Sequence, residues 1–356
     1  MLAALALCML AAQYMPGDLS ELLAAYQQAN GDSWRKVRID SAAAWEAKRE
    51  DIRRRVMDIM GSSPESYPPL APRTLSTTDE GAYTRSKVAY TDEDGRPIPA
   101  WLLMPKGLGR LPAVLAAHPT ETGGKDAVVG LEGKAYQFYA RELALRGFVV
   151  LAPDSITAGE RVYPGAKPYV TAPFDEAHPG WSAMGKMLAD HRRGIDFLLT
   201  LPNVDPARIA TIGHSLGGYN AFFLAAFDPR VRAAVSSCGF NPMARAAKPF
   251  AWARSSWFVH FPRLTPYLRA GIVPFDFHEV MALVAPRALF NYSASRDSIF
   301  PDADSIRAGA TQVADVYRLL GAEDRFVFRI TEGPHAFPDA VREEAYGWLR
   351  RQLAVP

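Results

Sequence analysis

Residues 210–220 read ATIGHSLGGYN, an apolar run that ends in a serine framed by glycines. Glycine weakens strand and helix interiors alike, so its placement at 213, 217 and 218 calls for a reason. A G-x-S-x-G sequence between a strand and a helix supplies one. With no Cβ at 213 or 217 the chain can reverse sharply and lift the Ser215 hydroxyl clear of the sheet. The same turn aims the Leu216 N–H at that hydroxyl, where the helix dipole adds partial positive charge. A lone G-x-S-x-G is weak evidence. Here RIATIGHS precedes it as a strand, GGYNAFFLAAF follows as a helix, and Gly218 allows close helix packing, so the stretch reads as a nucleophile elbow.

The rest of the chain repeats this strand-then-helix unit. Short apolar runs occur at 111–119, 148–154, 208–215, 231–239, 287–295 and 326–331, with helical stretches near 134–146, 184–201, 217–227, 303–320 and 338–353. Fully apolar strands alternating with helices predict an α/β fold, a mostly parallel sheet covered by helices on both faces. Ahead of it, SKVAYTDEDGRPIPAWLLMP reads as a hairpin turning at Asp94-Gly95. Residues 18–60 read as helical: Trp45, Ile52, Val56, Ile59 and Met60 share a face, Asp40 or Ser41 caps the start, and Gly61 stops it. The mixed charges of KREDIRRR (48–55) predict a solvated outer face, and Pro64, Pro68, Pro69 and Pro72 a stiff linker. The expected organisation is a candidate signal peptide at 1–12, a helical segment and linker at 13–75, and the α/β domain at 76–356. Within that domain, residues 240–283 break the beat with Phe250, Trp252, Trp257, Phe258, Phe261 and Tyr267. Two readings stand: an insertion with its own small core, or a lid whose rings, Trp252 and Trp257 among them, line the substrate cleft.

In doubly wound sheets, ligands bind beyond the carboxyl ends of the strands, so a base for Ser215 is sought there. Seven histidines are available. His214 adjoins the serine and cannot easily turn back onto it. His118 ends a strand and reads as an internal hydrogen-bonding residue, while His178, His191, His260 and His278 fall in loops, helices or the insertion. His335, in the loop EGPHAFP after the last strand, stands where the serine emerges. Asp297, directly after NYSASR, sits at the mouth of another strand. Asp302 and Asp304 are alternatives that read better as helix caps. The order Ser215, Asp297, His335 is the one this fold uses. Lys125, Asp154, Glu160 and Arg161 also lie after strands, as loop-pinning ion pairs or, on the minority reading, as substrate contacts.

These stretches, with HPTETGGK (118–125), RGFVVLAPDS (146–155), VDPARIATIGHSLGG (204–218), LVAPRAL (283–289) and GPHAFP (333–338), resemble the α/β-hydrolase superfamily. Within it they are most similar to the bacterial dienelactone hydrolase-like and acetyl xylan esterase-like serine esterases, over roughly residues 80–350. The resemblance implies cleavage of carboxylic esters, short acyl or acetyl esters on carbohydrate among them, with no metal or organic cofactor. One departure affects the oxyanion hole. Pro119 follows His118 where many relatives carry glycine, and proline has no N–H. The second donor after Leu216 is therefore assigned to the Thr120 backbone. A lactone or dienelactone hydrolase shares the fold, though that group often uses cysteine as nucleophile. A prolyl-oligopeptidase-like peptidase usually carries a large β-propeller ahead of it, and a catalytically inactive binding protein is the remaining rival.

Composition bounds the rest. A 356-residue chain that is 49% hydrophobic can bury a large core, and a net charge of +2 favours neither nucleic acid nor a polyacidic partner. Cys8 and Cys238 provide no disulfide framework and no metal-ligand spacing. MLAALALCMLAA suits a signal-peptide h-region and is too short to span a bilayer, but lacks a basic start, so secreted, periplasmic and cytoplasmic destinations stay open. Oligomeric state is not encoded legibly.

Overall fold

The computed structural model describes residues 40–61, 66–107, 109–245, 249–253 and 258–354. The candidate signal peptide and Trp257 lie outside the described residues.

The sheet has nine strands: β1 (Arg73–Asp79), β2 (Tyr83–Thr91), β3 (Pro97–Pro105), β4 (Leu111–Ala117), β5 (Val149–Pro153), β6 (Val204–His214), β7 (Val231–Ser237), β8 (Ala288–Ala294) and β9 (Phe326–Thr331), in the spatial order β1-β2-β3-β5-β4-β6-β7-β8-β9. The first three strands and the β3–β5 pair are antiparallel, and every pair from β5–β4 through β8–β9 is parallel. This is the α/β-hydrolase fold. The helices are α1 (Ala42–Met60), α2 (Asp126–Val129), α3 (Tyr139–Ala144), α4 (Ala172–Ala177), α5 (Ala183–Thr200), α6 (Leu216–Phe227), α7 (Leu264–Arg269), α8 (Phe277–Ala282), α9 (Ala303–Leu319) and α10 (Asp339–Gln352). Strands β5, β7 and β8 are almost wholly buried, as a sheet covered on both faces requires. The two resulting cores lie on opposite faces: α1, α5, α6 and α9 cover one, α3 and α10 the other.

β1 was not evident from the sequence. RTLSTTD is exposed along its whole length and pairs only at the sheet edge, so it carries no burial pattern to detect. The N-terminal helix matches expectation in its cap, where Ser41 Oγ accepts the Ala44 N–H at 3.2 Å, and in its stop at Gly61, where φ is +81°. Its apolar face joins the main core through Trp45, Ile52, Val56 and Ile59. Its charged run corrects the expectation of a purely solvated face. Arg55 is buried, pairs with Glu279 at 3.2 Å and donates to the Pro274 carbonyl, while Arg53 donates to the Ala226 carbonyl at 3.0 Å. Long guanidinium arms reach past the apolar stripe to acceptors on neighbouring elements. Among the described residues, the interruption at 240–283 builds no separate core. Phe261, Phe275 and Phe277 pack on Phe222 and Phe223 of α6 and merge with the main cluster.

Candidate active site

The elbow forms as the glycines demand. A Cβ at Gly213 would strike the Gly217 carbonyl oxygen, and one at Gly217 would strike the Ala117 carbonyl oxygen of β4. Between them Ser215 holds φ +56° and ψ −118°, a backbone conformation that L-residues rarely adopt. Ser215 is half-buried, and Leu216 opens α6, where the first N–H groups have no partner within the helix.

Asp297 and His335 meet. The His335 Nδ1 stands 2.6 Å from Asp297 Oδ2, and the other Asp297 oxygen accepts the Ile299 and Phe300 N–H groups at 2.8 and 2.9 Å. Burial alone would push the Asp297 carboxyl up. The His335 hydrogen bond and charge, with those two N–H donors, outweigh it and hold the group below its usual range. Because Nδ1–H is given to Asp297, Nε2 is left as the basic nitrogen. The His335 ring lies 4.8 Å from the ring of His214, the residue immediately before Ser215. His214 itself is committed elsewhere: its Nδ1 bonds Ser237 Oγ at 3.0 Å, and burial pushes its imidazole down to about 3. Asp302 serves as a cap, accepting the Ser305 N–H at 2.9 Å, and Asp304 falls in the first turn of the same helix.

The loop after β4 is held from two sides. His118 Nε2 accepts the Ser155 N–H at 2.9 Å, which fixes the proton on Nδ1, and Nδ1–H donates to the Pro119 carbonyl at 2.7 Å. The Tyr169 hydroxyl accepts the Glu121 N–H at 2.7 Å and donates to the Glu121 carbonyl at 2.6 Å. Thr120 stands exposed between these anchors. His118 is thus internal, as its strand-end position suggested.

Trp252 is half-buried and stacks parallel to Phe300 at 6.4 Å, and Phe300 in turn stands 5.9 Å from His335. Tyr219, one turn after Ser215, bonds His260 Nε2 at 2.5 Å and meets Trp252 edge-on. An aromatic wall therefore runs from the imidazole into the 240–283 segment. Lys125 Nζ stands 2.8 Å from Asp154 and 2.6 Å from Glu160, while Arg161 pairs with Asp190 at 2.6 Å and Asp92 at 3.4 Å.

Two neighbours of the site escaped sequence reasoning. Cys238 follows β7 with φ +45°, and its sulfur groups with an Asp297 oxygen and a His335 nitrogen within 4.8 Å. Burial, then the Asp297 charge, push its thiol up, so it stays a protonated S–H. Its position at a strand's carboxyl end was the available signal. Tyr169 lies in a long loop that carried none.

Residues 98–253 match the dienelactone hydrolase family. The chain is 25% identical over 311 residues to YtaP of Bacillus subtilis, covering 86% of this chain and all of that protein. It is 29% identical over 194 residues to a 4-O-methyl-glucuronoyl methylesterase of Wolfiporia cocos, covering 48% of this chain and 46% of that one. Its fold superposes on a glucuronoyl esterase from Solibacter usitatus with a TM-score of 0.69 at 22% identity, over 88% of this chain and 94% of that one.

Proposed function

We propose, from the premise that the chain is an α/β-hydrolase carrying a dienelactone hydrolase family domain, that it is a serine esterase in which Ser215, His335 and Asp297 act as a triad. The 2.6 Å Asp297–His335 hydrogen bond beside the elbow is the observation that carries this reading. His335 Nε2 takes the Ser215 proton as the hydroxyl attacks the ester carbonyl. Asp297, kept ionised, stabilises the imidazolium, and the imidazolium then protonates the leaving alcohol. The Leu216 and Thr120 N–H groups are assigned to the oxyanion. Loss of one such donor costs about 3–4 kcal/mol, on the order of 10²–10³ in rate. Water cleaves the acyl-enzyme by the same route. The Trp252–Phe300 wall suits a ring face, of a sugar or an aryl group, and the likeness to glucuronoyl esterases supports a carbohydrate ester, so a small-molecule or carbohydrate ester is the proposed partner.

Ser215→Ala is expected to lower turnover of p-nitrophenyl acetate by about 10⁴-fold or more and to abolish the single fluorophosphonate adduct. Unchanged turnover removes the nucleophile. A panel of acetylated xylan, a methyl glucuronate ester, simple lactones and a prolyl peptide sets the substrate class. Cleavage of the peptide with no ester turnover overturns the esterase reading.

A further inference from the structure

The β2–β3 hairpin and the loop between β5 and α5 approach each other at a second histidine–carboxylate cluster, remote in sequence from the triad. We propose that Glu93, Asp94 and His178 bind one borderline divalent cation, Zn²⁺ or Mn²⁺, that staples the 154–182 loop to the hairpin. One oxygen of each carboxylate and a His178 ring nitrogen group within 4.8 Å. His178 Nε2 stands 3.4 Å from Asp94 Oδ2. That is long for a strong hydrogen bond, whereas two ligands about 2.0–2.1 Å from a tetrahedral ion stand about 3.3 Å apart.

The second observation is Glu93. Its side chain is 1% exposed and Oε2 takes the Lys186 ammonium at 2.5 Å, yet Oε1 is buried with no partner among the described residues. A buried carboxylate oxygen left without a donor is costly, and on the proposed assignment Oε1 is the Glu93 oxygen that takes the cation. The ligands are pre-set. Asp92 Oδ1 accepts the Asp94 and Arg96 N–H groups at 3.1 and 2.8 Å, fixing the turn. The His178 ring stacks on Phe174 at 5.0 Å and meets Trp181 edge-on at 6.0 Å.

The surrounding charge permits it. Four carboxylates, Asp92, Glu93, Asp94 and Asp190, face three cations, Lys186, Arg161 and Arg96, so acidic groups outnumber basic ones by one. One imidazole with two carboxylates suits zinc or manganese, not the all-oxygen shell calcium prefers. The consequence reaches the active site because the same loop carries Tyr169, which grips the Glu121 backbone beside Thr120.

Titration calorimetry of the EDTA-stripped full chain with ZnCl₂, MnCl₂ and CaCl₂ tests the site. One equivalent of Zn²⁺ or Mn²⁺ is expected in the wild type, in Ser215→Ala and in Cys238→Ala, with a raised melting temperature in each. Asp94→Asn and His178→Gln are expected to weaken binding at least tenfold. The Asp94 side chain is 35% exposed, so the metal-free melting temperature of Asp94→Asn verifies folding if His178→Gln fails to fold. No saturable binding, calcium-only binding, binding indifferent to both Asp94→Asn and His178→Gln, or binding lost in Cys238→Ala each overturns the proposal. None of these outcomes depends on esterase activity, so the site and the triad fail separately.

Discussion

Two polar centres buried around the sheet use the same residue types to opposite ends. Around Asp190, the carboxylates are paired with permanent cations: Arg161 at 2.6 Å and Lys186 at 2.7 Å on Asp190, with the same Lys186 ammonium shared by Asp92 and Glu93. Around Asp297 there is a single imidazole at 2.6 Å, two backbone N–H groups and a neutral thiol. Guanidinium and ammonium partners cannot give up a proton near neutrality, so the first centre is fixed and holds loops. An imidazole partner can take a proton and return it, so the second is equipped for acid–base work.

The sharpest way to break this contrast is to neutralise each aspartate. Asp297→Asn is expected to cut kcat for an activated acetate ester by about 10⁴-fold, because the amide favours the wrong imidazole tautomer. Its melting temperature should move little. Asp190→Asn should do the reverse. It leaves Arg161 and Lys186 undercompensated in the interior, a loss of about 3–5 kcal/mol in urea unfolding, while activity per folded molecule stays near that of the wild type. If Asp190→Asn destroys activity and Asp297→Asn destroys only stability, the assignment of roles is inverted.

A smaller effect is expected where the two functions touch. Tyr169→Phe keeps the ring and removes the hydroxyl that holds the Glu121 backbone. Loss of about 1–2 kcal/mol of positioning, on the order of tenfold in kcat with KM little changed, is the expected outcome. An equal rise in KM at constant kcat would instead place Tyr169 in ground-state binding.

Much of this was legible because it is local or periodic. The elbow is written in Gly213, Ser215 and Gly217, whose spacing has one steric solution. The six parallel-sheet strands are continuous apolar runs, and each ends within a few residues of its expected boundary. Asp297 and His335 could be proposed from sequence because strand ends are where this topology gathers chemistry, and the structure pairs them at 2.6 Å. What escaped has no local signature. β1 buries nothing, Tyr169 acts through its hydroxyl from a long loop, and Cys238 acquires its neighbours only when β7 and β8 pair. The burial of Arg55 was misread for a similar reason, since its acceptors, Glu279 and the Pro274 carbonyl, lie more than two hundred residues away.

A carboxylate that belongs to neither centre shows what burial does without a cation or an imidazole beside it. Asp175 in α4 has one oxygen accepting the Thr171 hydroxyl at 3.1 Å and the other buried without a donor among the described residues. Burial raises its carboxyl to about 6, against an ordinary 3.8. A carboxyl whose folded-state value is raised binds more protons folded than unfolded, so it costs stability as pH climbs from about 4 to 6, and the full cost persists above that. Asp175 is only half-buried, so screening reduces the nominal penalty to about 1 kcal/mol. Asn at this position can still accept from Thr171 and never ionises. Asp175→Asn should therefore be more stable than the wild type by about that amount at pH 8, with the advantage vanishing near pH 4. Paired urea titrations at the two pH values decide it: an advantage of equal size at both would mean that packing, not charge, distinguishes the variants.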